Sequence, residues 1–198
     1  MYKRKDAFYY KAKNEGYLSR ASYKLLEMDK KYKLIKKGGN ILDIGAAPGG
    51  WSQVALKLIG QSGIVVGVDL IDIHIYNTNN FYSVKGDIKQ KDTLEKIINI
   101  HKAYDTVISD VAPNTSGEKI VDHTASVELI TWVYKITKIT LKHGGTFLFK
   151  LFEGEGKKPL LASLQHTFET VKTYRPLSTR KNSFEMYIMC KNFKGVYE

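Results

Sequence analysis

The chain has 198 residues, 31 of them Lys or Arg against 20 Asp or Glu, for a formal net charge of +11 and a pI near 9.5. With 43% apolar and 26% charged residues it can bury a core, which excludes a disordered chain, and its one cysteine, Cys190, excludes an internal disulfide and any multi-cysteine metal site. No apolar run approaches the roughly 20 residues of a membrane span, no signal peptide is visible, and the cationic excess points to a polyanion, most often nucleic acid.

Residues 1–19 interleave Lys3, Arg4, Lys5, Lys11 and Lys13 with Phe8, Tyr9, Tyr10 and Tyr17, without clean periodicity. This reads as a basic, aromatic surface arm. Such a mix suits RNA, whose backbone is anionic and whose exposed bases stack; a poorly ordered terminus has the same composition. From Ser19 to about Tyr32 the spacing turns helical, with Ser19 as a cap and Ala21, Leu25, Met28 and Tyr32 at three- and four-residue steps. Lys36-Lys37-Gly38-Gly39 then breaks the chain.

Beyond it, strand and helix patterns alternate. Strands are predicted at 40–44, 64–69, 81–85, 106–110, 146–152 and about 184–190, with another through 170–174. Helices are predicted at 51–59, 93–101, 123–141 and 158–168. Alternation of this kind implies parallel strands joined by helical crossovers, with helices on both sheet faces. No repeat, low-complexity tract or linker divides the chain, so a single α/β domain over 1–198 is expected.

The strongest local signal is Ile41-Leu42-Asp43-Ile44-Gly45-Ala46-Ala47-Pro48-Gly49-Gly50-Trp51, an apolar strand, a glycine-rich turn and the start of a helix. In open α/β sheets ligands settle beyond the carboxyl ends of the strands, where strand order reverses. Asp69 closes the next strand about 20 residues on, where a carboxylate can accept from ribose hydroxyls, and Asp87 follows the strand after that. A nucleoside-containing cofactor is expected. The turn does not match the dinucleotide pattern G-x-G-x-x-G, and its Pro48 removes an amide donor that would cradle a pyrophosphate. S-adenosyl-L-methionine, which has no phosphate and carries a sulfonium, suits a turn lined by Asp43, Asp69 and Asp87 better.

Four charged residues far apart in sequence stand out: Lys24 in a helix, Asp110 at a strand end, Lys150 inside the apolar run Phe147-Leu148-Phe149-Lys150-Leu151-Phe152, and Glu185 at the start of the last strand. Each also has an ordinary reading: a solvated helix face, a turn former, an edge-strand gatekeeper and an exposed strand position. A buried, unpaired Lys150 would cost several kcal/mol, so it must snorkel, meet carboxylates or lose its proton.

From Tyr17-Leu18-Ser19-Arg20-Ala21-Ser22-Tyr23-Lys24-Leu25 onward, the chain resembles the FtsJ/RrmJ family of large-subunit ribosomal RNA 2′-O-methyltransferases. The likeness runs through Asp43–Gln53, then Ser109-Asp110-Val111-Ala112-Pro113-Asn114-Thr115-Ser116-Gly117, Lys150-Leu151-Phe152-Glu153-Gly154-Glu155-Gly156 and Ser178–Tyr187, covering about 17–190 in order. The resemblance implies a Rossmann-like, seven-stranded, mostly parallel sheet whose last strand is antiparallel. It implies a Lys-Asp-Lys-Glu tetrad at Lys24, Asp110, Lys150 and Glu185. It also implies cofactor contacts at Gly49, Trp51, Asp69, Asp87 and Asp110, with Gly45 and Gly50 in the same turn.

The expected reaction is then methyl transfer from S-adenosyl-L-methionine to a ribose 2′-hydroxyl, with Lys150 as base or, if it stays protonated, as the group that orients the hydroxyl. No metal is called for, and the five histidines are scattered. The expected partner is ribosomal RNA or the large ribosomal subunit, a uridine or a guanosine being favoured, with no membrane and the protein a monomer. Lys3, Arg4, Lys5, Lys11, Lys13, Arg20, Lys36, Lys37, Arg175, Arg180 and Lys181 are the candidate basic surface. Location is read as intracellular and cytoplasmic, or mitochondrial or nucleolar if the native chain is longer or eukaryotic. The competing readings are a tRNA 2′-O-methyltransferase, a small-molecule O-methyltransferase and a non-catalytic ribosome-assembly factor.

Overall fold

A computed structural model of the chain describes residues 6–180 and 182–195. Its elements in chain order are α1 (Ala7–Asn14), α2 (Ser22–Tyr32), β1 (Ile41–Ile44), α3 (Gly50–Ile59), β2 (Val65–Asp69), β3 (Phe81–Lys85), α4 (Lys91–Ile100), β4 (Tyr104–Ser109), α5 (Lys119–Thr140), β5 (Leu141–Phe152), α6 (Lys157–Thr167), β6 (Phe168–Tyr174) and β7 (Glu185–Phe193). One seven-stranded sheet has the order β3-β2-β1-β4-β5-β7-β6. β7 runs antiparallel to both β5 and β6, while β1 to β5 pair in parallel. The expected Rossmann-like sheet with an antiparallel last strand is therefore present. Among the described residues no helix is long and apolar enough to cross a membrane.

The apolar side chains fall into two cores, one on each face of the sheet. Alternation along β5 shows the division: Phe147, Phe149 and Leu151 point into the core that includes α5 and α6, while Leu148 points into the one beneath α2 and α3. Lys150 and Phe152 continue the Leu148 side, so the lysine faces α2. Strand order reverses between β1 and β4, and the turns after these two strands form one crevice edge.

Gly45, the first residue of the β1–α3 turn, has φ +75°, and a Cβ there would lie 2.6 Å from Cβ and 2.8 Å from Cα of Val111, in the turn after β4. Only glycine accepts both the backbone conformation and the close approach. Gly45→Ala is expected to destabilise the fold by about 1–3 kcal/mol and to push Val111, and with it Asp110, away from β1. Thermal unfolding checks the first effect, and affinity for the S-adenosyl-L-methionine that the resemblance leads one to expect checks the second.

Several boundaries differ from the sequence reading. Residues 7–14, read as an arm without periodicity, form a helix whose N-cap Asp6 accepts from the Tyr9 amide through Oδ1 at 3.0 Å. Phe8 and Tyr17 pack on Tyr23, at ring distances of 5.6 and 5.7 Å, so tertiary packing rather than amphipathic spacing holds α1. α2 begins at Ser22 and not at Ser19, because Ser19 meets the α3 terminus: a Cβ on Gly50 would lie 2.1 Å from Ser19 Oγ. β4 ends at Ser109, leaving Asp110 in the turn beyond it.

Candidate active site

The start of α2 is fastened to the start of α3. Ser22 Oγ donates to the Gly50 carbonyl at 3.0 Å, and Trp51 Nε1 donates to the Ala21 carbonyl at 2.9 Å. Both contacts set the first turn of α2, from which Lys24 reaches across the end of the sheet. On the sheet, β5 pairs Lys150 with Tyr187 and Phe152 with Glu185, which puts Lys150, Glu185 and Tyr187 on the same face as α2.

The four charged residues meet there. Lys24 Nζ forms an ion pair with Glu185 Oε1 and donates to the Tyr187 hydroxyl at 3.0 Å. That hydroxyl donates to Asp110 Oδ1 at 2.8 Å. Lys150 Nζ lies 3.1 Å from the same Oδ1 and donates to the Asp110 carbonyl at 2.5 Å. The chain of contacts thus runs Glu185–Lys24–Tyr187–Asp110–Lys150, and Lys24 and Lys150 are each 8% exposed. The interior lysine resolves by meeting a carboxylate.

Burial raises the Asp110 carboxyl, but the charges of Lys150 and Lys24 and the Tyr187 hydroxyl outweigh it and hold the group below the ordinary carboxylate range. Tyr187 goes the other way: burial, then the neighbouring charges of Asp110 and Glu185, push its hydroxyl well above the usual value, so it stays a neutral donor. Tyr187 is the member of this cluster that the sequence does not single out. Its signal was the step of two from Glu185, which puts both side chains on one strand face.

Two clefts adjoin this cluster. The first, a cavity of about 440 Å³, runs along the turns after β1, β2, β3 and β4 and has Gly45, Asp69, Asp87 and Asp110 in its wall. Asp69 Oδ2 accepts from the Ala47 amide at 2.9 Å and Asp87 Oδ1 from the Lys89 amide at 2.9 Å. Gly50 and Trp51 face a smaller adjoining space that shares Gly45, Ala47 and Asp110 with the first. Trp51 is 3% exposed and lies 5.8 Å from the Tyr187 ring, so its contacts orient α2 and the tetrad. Gly49, with φ +112°, caps α3 against Leu18 and Ile73 and belongs to neither wall. The second cleft, about 390 Å³, is bounded by Arg20, Lys24, Arg180, Asn182 and Glu185 among others.

Asp43, expected with Asp69 and Asp87 to line the turn, does not: it is fully buried and lies in neither cleft wall. One oxygen accepts from Ser52 Oγ at 2.6 Å, tying β1 to α3, and the other has no hydrogen-bond partner among the described residues. Burial, reinforced by the charges of Asp110 and Asp69, raises its carboxyl to about 7. A carboxyl raised from 3.8 to about 7 binds its proton more tightly folded than unfolded. Its contribution to stability is full below about pH 4 and is lost as pH climbs through 7, by about 4 kcal/mol in all. Asp43→Asn, which cannot ionise, is expected to remove this decline. Denaturant midpoints from pH 4 to pH 8 check it, and parallel curves for both proteins would contradict it.

The candidate basic surface divides. Arg20 and Arg180 converge on Asp6 beside Lys24, and Arg175 donates to the Arg180 carbonyl at 3.4 Å. Lys11 and Lys13 are exposed on α1. Lys36 and Lys37 lie elsewhere, because α2 carries the chain about 12 Å between Lys24 and its far end and they precede the amino end of β1, at the opposite end of the strands from the clefts. Lys3, Arg4, Lys5 and Lys181 lie outside the described residues.

Comparison with known proteins bears on this arrangement. The family described as FtsJ-like methyltransferase matches residues 17–193. "Ribosomal RNA large subunit methyltransferase E" of Methanothermobacter thermautotrophicus is 46% identical over 194 residues, covering 98% of this chain and 92% of that one. The protein of the same name from Borrelia duttonii is 42% identical, covering 98% of each. A crystal structure from Plasmodium falciparum, described as a ribosomal RNA methyltransferase, superposes with a TM-score of 0.80 at 34% identity, covering 91% of this chain and all of that one. Aeropyrum pernix fibrillarin, solved with S-adenosyl-L-methionine, shares the fold at a TM-score of 0.57 and 17% identity, over 79% of this chain and 68% of that one. The match spans both clefts and all four members of the tetrad, and the chain belongs to the FtsJ-like methyltransferase family.

Proposed function

We propose that the protein transfers a methyl group from S-adenosyl-L-methionine to a ribose 2′-hydroxyl of large-subunit ribosomal RNA, a uridine being the nucleotide expected. The observation that carries this reading is the position of the tetrad between two clefts: Asp110 stands in the wall of one, Lys24 and Glu185 in the wall of the other, and Lys150 bonds Asp110. The names of the curated relatives support ribosomal RNA as the acceptor.

The first cleft fits the methyl donor. Its volume lies in the range of about 300–1,000 Å³ usual for small-molecule sites. Its wall bears three carboxylates, which favour a cation and accept from hydroxyls, whereas a pyrophosphate would be repelled. Asp69 and Asp87 would hold the nucleoside, with Gly45 allowing close approach to the backbone. When bound, S-adenosyl-L-methionine supplies an electrophilic methyl carbon on a positively charged sulfur.

An alcohol is a poor nucleophile, so a positioned base that takes its proton helps by about 10²–10⁴-fold. Lys150 is that base. A neutral amine has two N–H bonds, and Asp110 offers it two acceptors, Oδ1 and the backbone carbonyl; the lone pair is then free for the hydroxyl proton. Asp110 fixes the amine, Tyr187 holds Asp110, and Lys24 with Glu185 closes the acceptor side. The rest is positional: the 2′-oxygen must sit about 3–3.5 Å from the methyl carbon.

The test is chemical. Large ribosomal subunits lacking the modification are incubated with the protein and methyl-labelled donor, and the RNA is hydrolysed in alkali. Methylation of the 2′-oxygen blocks its attack on the adjacent phosphate, so the label is expected in an alkali-stable dinucleotide. Label in mononucleotides would move the reaction to a base, and absence of label from RNA would sink the reading.

A further inference from the structure

We propose that Arg20 and Arg180 form a subsite for a backbone phosphate next to the acceptor nucleotide, and that the Asp6 carboxylate occupies this subsite until RNA arrives. The inference rests on RNA being the substrate. Asp6 Oδ2 receives Arg20 Nη1 at 2.5 Å and Arg180 Nε at 3.2 Å, so two guanidinium groups converge on one oxygen. Both arginines bound the cleft that also holds Lys24 and Glu185. The fork is preorganised: Arg20 Nη2 donates to the Ser178 carbonyl at 2.5 Å, and Arg175 donates to the carbonyls of Arg180 and Ser183, holding the turn that carries Arg180.

Shape and charge match a phosphodiester. Carboxylate and phosphodiester each present two oxygens sharing one negative charge, and guanidinium groups bind both in the same planar, forked manner. Both guanidinium groups point at a single oxygen of Asp6, where the two oxygens of a phosphodiester can serve one each. Arg20 Nε is buried and has no hydrogen-bond partner among the described residues, a donor that Asp6 does not use. Asp6 caps the eight-residue α1, while both arginines line the cleft that also holds Lys24 and Glu185. Its side chain is 29% exposed, which gives an incoming phosphate access to it.

The plug predicts an inverted mutational effect, since removing an acidic residue from a structural ion pair normally weakens what it supports. Asp6→Asn and Asp6→Ser both keep an N-cap acceptor for Tyr9 while removing the charge, so α1 is retained. Binding of a short fluorescein-labelled single-stranded RNA is measured by anisotropy across a salt series, with far-ultraviolet circular dichroism to confirm the fold. In the native protein, phosphate displaces an internal carboxylate and releases no counterion from the fork. In either variant the fork holds an ion from solution, which RNA releases.

The variants are therefore expected to bind RNA about five- to tenfold more tightly at low salt, with a log–log salt slope steeper by about 0.7. Adding Arg180→Ala to Asp6→Asn is expected to abolish both gains. Unchanged or weaker binding by both folded variants, or a gain that survives Arg180→Ala, overturns the plug. If the native protein labels RNA while the variants show no gain, only this inference falls; if it labels no RNA, the functional reading falls first.

Discussion

Replacing Lys150 by alanine is expected to lower the single-turnover rate of RNA methylation by about 10²–10⁴-fold, the usual contribution of a positioned base, while methyl-donor binding changes little. The informative companion is Lys150→Arg. Arginine keeps the positive charge and can still donate to both oxygens of Asp110, but its guanidinium does not give up a proton in proteins. If Lys150 acts as base, both variants fail to the same extent. If it served only to orient the hydroxyl as a cation, arginine would restore most of the rate. Single-turnover kinetics with saturating donor separates the two, and an active arginine variant would remove the base assignment while leaving the tetrad's geometry untouched.

How much of this site could be read from sequence depends on how local each signal was. The β1–α3 turn was legible because everything it needs lies within 11 consecutive residues, and Asp69 and Asp87 followed because the first ends the next parallel strand and the second lies just past the one after it. The tetrad as an assembly was not legible from spacing. Lys24 and Glu185 are 161 positions apart, and only the register of β5 against β7 puts Glu185 and Lys150 on the α2 face. Resemblance supplied those four positions, and the structure supplies the reason they meet. Tyr187 passed unremarked because a tyrosine in an apolar strand reads as core; its hydroxyl partners come from α2 and the turn after β4. Asp43 was misplaced for the converse reason, since its sequence neighbours are those of a cleft acid but a four-residue central strand buried on both faces turns it inward to Ser52. The helix at Ala7–Asn14 escaped notice because its stabilising contacts are to Tyr23, Arg20 and Arg180, all outside it.

The second large effect concerns Asp110, where stability and chemistry share one side chain. Among the described residues its carboxylate is the one acid paired with Lys150, and the charge of Lys24 also acts on it. Asp110→Ala leaves Lys150, among the described residues, with only the backbone carbonyl as partner, in a position where its side chain is 9% exposed. Removing one member of a buried pair typically costs about 3–5 kcal/mol, because the remaining charge is desolvated without compensation. For a chain of this size that corresponds to a fall in melting temperature of roughly 10 °C.

Lys24 retains Glu185, and the Tyr187 hydroxyl retains Lys24, so the loss should be concentrated at Lys150. This makes a double variant decisive. Asp110→Ala combined with Lys150→Met removes both charges and fills the lysine stem's volume with an apolar side chain, which is often neutral for buried pairs. The double variant is expected to regain most of the lost melting temperature and none of the methylation. A double variant as unstable as Asp110→Ala alone would show that the cost arises elsewhere in the turn after β4. A single variant with native stability would show that the backbone carbonyl of residue 110 suffices to hold Lys150 in place without the carboxylate.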